Sequence, residues 1–235
     1  MTAPTRVVFG LGTGRCGTTS LAAFIDMQHG AVGTHERHGN RVAWVGGEAE
    51  LDRVLDDLGA ELDRGATLVG EVGLYYLPYV ARIRARHPEA RFIVLQRERE
   101  ATIESFIEKT ADKANHWAPT SRFARHARWN PCFPTYAAAL PKRVAVGRYW
   151  DEYYTTTAAL ERAEPGVFMT VRTERLGDPA TQRQMLDFLG VPVAEQVLDP
   201  DLKRNRAQDV RPSLGKALRR MFRRWWHDRD SGGAD

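Results

Sequence analysis

Residues 9–21, FGLGTGRCGTTSL, hold four glycines, an arginine and a run of hydroxyls, most of them in one turn. Gly12, Gly14 and Gly17 permit positive φ and close backbone approach. Thr13, Thr18, Thr19 and Ser20 supply hydroxyls, and Arg15 adds a permanently charged fork suited to phosphate or sulfate oxygens. A second cation, Arg97, directly follows the strand-like run 91–96, with its apolar centre Phe92 to Leu95, and Ser105 follows eight residues later. An arginine at the carboxyl end of a strand faces the ligand crevice of a parallel sheet. A serine two helical turns on can reach the same anion. For proton transfer the candidates are Glu36, His35 and Glu71. Neighbours on an extended segment point oppositely, so one of His35 and Glu36 faces the crevice. The ordinary pKa of histidine suits work at neutral pH, and Glu71 sits at the end of another apolar run. Cys16 invites a nucleophile reading, because a helix N-terminus lowers a thiol's pKa.

These groups need a scaffold that turns several strand ends toward one place. Residues 6–12 read as a buried strand and 17–28 as the helix capped by the loop, where the helix dipole and free N–H groups favour an anion. A brief strand is expected at 31–34. In 48–62 the apolar positions Leu51, Val54, Leu55, Leu58 and Leu62 share one helical face. Further expectations are strand 67–72, helix 77–86 stopping before Pro88, strand 91–96, helix 98–113, helix 142–163, strand 167–171 and helix 179–189 ended by Gly190. This alternation predicts an α/β fold, a P-loop-like three-layer arrangement with a central parallel sheet of about five strands flanked by helices. Segment 114–141 breaks the rhythm with four prolines and several aromatic residues. It reads either as a substrate lid or as a packed surface excursion.

The frame from Gly12 to Thr19 fits the nucleotide P-loop GxxxxGK[ST] except that Thr18 stands in the lysine position. The charge has moved inside the loop, to Arg15. That pattern, Arg15-Cys16-Gly17-Thr18-Thr19, resembles the 5′-phosphosulfate loop of the sulfotransferases that use 3′-phosphoadenosine-5′-phosphosulfate (PAPS). Arg97 and Ser105 resemble the same family's 3′-phosphate pair in spacing and placement. Residues 149–154, YWDEYY, and 185–190, MLDFLG, resemble further family segments. The resemblance implies PAPS as donor, with adenosine 3′,5′-bisphosphate as product. It implies a nucleotide site at Thr13, Gly14, Arg15, Cys16, Gly17, Thr18, Thr19, Ser20, Arg97 and Ser105, with Lys203 and Arg204 as further basic candidates. It also implies a base at Glu36, which lies 21 residues after Arg15, with His35 next and Glu71 third. Cys16 then becomes a small loop residue, since the family has Ser, Thr or Ala there. One departure is Thr173-Glu174, where family members often carry Tyr-Glu after the last strand, which puts the adenine-side contact in doubt.

At 235 residues the chain suits one α/β domain, expected over 1–212, followed by a basic amphipathic helix and tail over 213–235. A net charge of +4 suits anionic ligands, and no zinc, helix-turn-helix or RNA-binding signature points to nucleic acid. Two cysteines make no disulfide framework, and no HExxH or paired-Cys pattern supports a metal. A strand beginning at residue 6 leaves no room for a signal peptide, so the chain reads as cytoplasmic. Segment 214–226 is compatible with peripheral contact on anionic membrane, with packing on the domain, or with a second subunit in a homodimer.

The resulting expectation is a sulfotransferase moving a sulfuryl group from PAPS to a hydroxyl of a sugar, phenol, lipid, natural product or peptidyl tyrosine. The alternatives are a kinase-like P-loop phosphotransferase and a nucleotide- or lipid-binding module without catalysis.

Overall fold

A computed structural model describes residues 6–37, 42–111, 113, 115–118, 130–137 and 140–202, all within one compact unit, Met1–Lys203. The expectations for Lys203, Arg204 and the basic segment 213–235 lie outside the described residues.

Five strands form one sheet: β1 (Val7–Leu11), β2 (Ala31–His35), β3 (Leu68–Val72), β4 (Arg91–Gln96) and β5 (Phe168–Arg172). Their order is β2-β3-β1-β4-β5 and every pairing is parallel. Phe9 in the central strand lies beside Glu71 on one side and Phe92 on the other. Alternation along β1 sends Val7, Phe9 and Leu11 to one face and Val8 to the other. The first face is covered by α2 (Glu48–Asp63), α3 (Val80–Arg86), α4 (Arg99–Lys109) and α5 (Lys142–Ala163). The second is covered by α1 (Thr18–Asp26) and α6 (Pro179–Leu189). This is the three-layer α/β arrangement read from the sequence.

Two expected elements differ. The helix expected at 77–86 is a 3-10 turn over Leu74–Tyr79 followed by the shorter α3, with Pro78 inside the turn. Proline there cannot donate an N–H, and its ring crowds the preceding turn. The helix expected to run to Lys113 ends at Lys109, where the Thr110 hydroxyl and N–H both donate to the Phe106 carbonyl.

On the second face α1 lies unusually close to the sheet. A Cβ added at Gly33 would fall 2.3 Å from the Ala22 carbonyl oxygen, and one at Gly70 would fall 2.8 Å from an Ile25 methyl. Gly33 and Gly70 are register neighbours on β2 and β3. Glycine at these two positions makes a trough for α1 and thereby sets how near the end of β2 comes to the glycine-rich loop.

Candidate active site

The loop between β1 and α1 occupies the middle of the crevice at the carboxyl ends of the strands. Gly12, Gly14 and Gly17 have φ of 157°, 83° and 91°, and Arg15 is itself left-handed at 58°. A Cβ on Gly12 would meet the Cys16 sulfur at 2.5 Å and the Leu95 carbonyl at 2.9 Å, so only glycine fits this turn. Gly17 caps α1 without any side-chain hydrogen bond. By contrast, Glu98 caps α4 and Asp178 caps α6 with their own carboxylates. No acidic side chain caps α1 or stands in its first turn, an arrangement compatible with a phosphate or sulfate at that helix end.

Three surrounding elements hold this loop. Gly12 N–H donates to Tyr153 Oη at 2.8 Å, and Tyr154 Oη donates to the Leu95 carbonyl at 2.6 Å. Thr173 Oγ1 donates to the Cys16 carbonyl at 2.7 Å. Arg97 Nη1 donates to the Arg15 carbonyl at 3.1 Å, and Trp150 Nε1 donates to the Arg97 carbonyl at 3.1 Å. Thr173, noticed in the sequence only as a departure from a family pattern, is thus a strut of the loop. The same holds for the two tyrosines of α5, whose contacts depend on strand order and leave no local signal.

Inside the loop the expected donors divide. Thr13 is buried, its hydroxyl donating to the Gly14 carbonyl at 3.2 Å. Ser20 is buried too, whereas Arg15 and Thr19 are exposed. The Cys16 side chain is fully buried, and burial pushes its thiol up to about 11 despite the helix end above it. A thiol buried in this way fits the reading of Cys16 as a small loop residue.

Arg15, Arg97 and Ser105 converge. Arg15 Nε donates to Ser105 Oγ at 3.1 Å, while Arg97 holds the Arg15 carbonyl. Among the described residues, neither Arg15 nor Arg97 is ion-paired, although Arg37, Arg82, Arg99, Arg143, Arg148 and Arg175 all pair with carboxylates. Two guanidinium groups left without counter-charge beside an uncapped helix end make an electropositive seat.

Across the crevice, β2 delivers the acid–base candidates. His35 Nε2 lies 2.9 Å from Thr18 Oγ1, and burial pushes the imidazole down to about 4, so it is neutral at physiological pH. Glu36 has a left-handed backbone at φ 49° and donates its N–H to the Val72 carbonyl at 3.0 Å. Arg15 and Glu36 are the two non-glycine residues with positive φ among those described. Such conformations cost about 1–3 kcal/mol and collect at functional sites.

Glu71 is fully buried and its carboxylate is engaged on three sides. It accepts from the Thr34 hydroxyl, from Arg37 N–H at 2.9 Å and from Tyr76 Oη at 3.1 Å. Burial pushes its pKa up, against the pull of those donors. Thr34 and Arg37 bracket Glu36, so Glu71 acts as a clamp on the turn that carries it. Arg37 is tied outward to Glu61 at 2.8 Å. Burial, and secondarily the Glu36 charge, push the Cys132 thiol up to about 12. The same two influences, in the same order, raise Tyr75.

Of segment 114–141, the described pieces are packed. Trp117, Cys132 and Phe133 lie in the core beside Phe106 and Tyr149, and Trp44 N–H donates to the Pro131 carbonyl at 2.6 Å. These described pieces form part of the core wall. Among the described residues, no group of three metal-ligating side chains occurs and no helix is long and apolar enough to cross a membrane.

No family model and no curated protein matches this sequence. Solved structures do. A sulfotransferase domain from the curacin biosynthetic pathway superposes with a TM-score of 0.55 at 16% identity, covering 86% of this chain and 79% of that one. A sulfotransferase from Alicyclobacillus acidocaldarius gives 0.54 at 18%, covering 95% and 92%. The sulfotransferase domain of the Synechococcus PCC 7002 olefin synthase gives 0.53 at 17%, covering 95% and 89%. The likeness is one of fold. At these identities it carries no residue-level correspondence.

Proposed function

We propose that the chain is a sulfotransferase that moves a sulfuryl group from PAPS to an acceptor hydroxyl. The observation that carries this is the seat itself: Arg15 and Arg97, unpaired among the described residues, beside the N-terminus of α1, which Gly17 caps without a side-chain hydrogen bond and which the end of β2 reaches through His35. The fold shared with bacterial sulfotransferases supports it. The donor set suits a substrate with an anion at each end. Arg15, Thr18, Thr19 and the first-turn N–H groups would take the 5′-phosphosulfate. Arg97 and Ser105 would take the 3′-phosphate, with Ser105 exchanging its Arg15 contact for a phosphate oxygen.

In this reading the acceptor hydroxyl gives its proton to Glu36 as its oxygen bonds to sulfur. The bond from sulfur to the 5′-phosphate oxygen breaks in line, and the charge left on that oxygen is met by Arg15 and the loop donors. Glu71, fully buried and already accepting from three donors, is assigned the clamp on the Glu36 turn and not the base. Calorimetric titration of adenosine 3′,5′-bisphosphate beside ADP and ATP at fixed salt tests the donor assignment, with preference for the bisphosphate expected. Preference for ATP would replace the proposal with a phosphotransferase. Glu36→Gln should keep nucleotide affinity while kcat for sulfuryl transfer falls by at least about a hundredfold. Undiminished turnover would move the base elsewhere.

A further inference from the structure

His35 was weighed above only as a base, yet its ring nitrogen meets the loop. Thr18 is the first residue of α1 and 7% exposed, and its Oγ1 is 2.9 Å from His35 Nε2. The approach is built in: Gly33 N–H donates to Asp26 Oδ1 at 3.2 Å, and the missing Gly33 side chain lets β2 lie directly on α1. Two proton arrangements fit that contact. If Nε2 accepts, the Thr18 proton points at the imidazole and the hydroxyl shows an approaching anion only lone pairs. If Nε2–H donates, the Thr18 proton is free for the anion.

We infer that His35 is a positioning residue for the anion cradle, its Nε2–H donating to Thr18 Oγ1 so that the Thr18 hydroxyl donates to a phosphate or sulfate oxygen. Anion binding selects this tautomer, because the alternative sets lone pairs against negative charge. Burial keeps the ring neutral at working pH, so it contributes direction without a second charge. It also takes Nε2 out of service as a proton acceptor for substrate. The inference rests on the reading of the loop as the 5′-anion site.

The test is a double-mutant cycle read by calorimetry with two probes, adenosine 3′,5′-bisphosphate and adenosine 3′-monophosphate, which lacks the 5′ anion. His35→Ala should weaken the bisphosphate about tenfold and leave the monophosphate unchanged. His35→Gln, whose amide can donate from a similar place, should recover most of the loss. In a Thr18→Val background His35→Ala should have no further effect. His35→Phe keeps the bulk without the donor and carries the same comparison if the alanine variant does not fold. Equal loss for both probes, or full additivity with Thr18→Val, overturns the inference while leaving the anion site standing. A wild-type chain that binds both probes equally overturns the anion site and the inference together.

Discussion

Replacing Gly33 with alanine tests whether the closeness of β2 to α1 matters to the site. The added Cβ would fall 2.3 Å from the Ala22 carbonyl oxygen, 2.5 Å from Asp26 N and 3.1 Å from Asp26 Cα, all backbone atoms. Ordinary contact begins near 3.4 Å, so the strand and helix must part by about 1 Å, and no rotamer change relieves it. Overpacking of this kind costs about 1–3 kcal/mol. For a domain of this size that corresponds to a fall in Tm of about 2–12 °C. The same displacement carries the end of β2 away from Thr18 and unsettles the turn at Glu36, so nucleotide affinity should fall with stability. Gly59 supplies the control: it lies inside α2 with nothing within 4 Å of an added Cβ. Gly59→Ala should therefore raise stability by about 0.5–1 kcal/mol and leave binding alone. Thermal melts with bisphosphate titrations on both variants check the pair. A Gly33→Ala protein as stable and as tight-binding as wild type would refute the reasoning.

Arg97→Ala should weaken the 3′-phosphorylated nucleotide about ten- to a hundredfold while changing ADP affinity little. Equal losses in parallel titrations would strip Arg97 of its assigned partner. Tyr153→Phe leaves the buried Gly12 N–H without its acceptor and should cost about 1–3 kcal/mol in a urea melt. No change would mean that water replaces the hydroxyl. Both cysteines are fully buried with raised pKa, so a thiol reagent at pH 8 should modify neither in the folded chain and both in urea. Rapid labelling of the native protein would contradict that burial.

Much of this fold is legible in the chain because its signals are local. The run 91–96 is a strand because six consecutive residues suit a buried sheet, and its bounds agree with β4. The apolar stripe of 48–62 gives α2 and the face that it buries. Glycine spacing gives the loop. Pro78 gives no local signal of where its helix starts, since proline is tolerated in a first turn and only the surrounding packing decides where that turn lies. What escapes sequence reasoning is contact across the sheet. Thr173 on the Cys16 carbonyl, Tyr153 on Gly12 and His35 on Thr18 join residues 157, 141 and 17 positions apart. Arg15 and Ser105, assigned to opposite ends of a ligand, touch each other for the same reason. The Glu71 clamp was equally hidden: its position at a strand end was visible, but its three donors were not.

The unequal capping of the helices gives the crevice a direction. At one end α1 opens at Gly17 with no carboxylate on it, and at the other α4 opens with the Glu98 carboxylate already seated on Glu100 N–H and Ala101 N–H. A molecule carrying an anion at each end meets attraction from backbone and arginine at the first, and at the second an arginine with a fixed carboxylate next door. In the proposed reading this asymmetry distinguishes the two ends of the nucleotide, and one seated backwards would present no transferable group to Glu36.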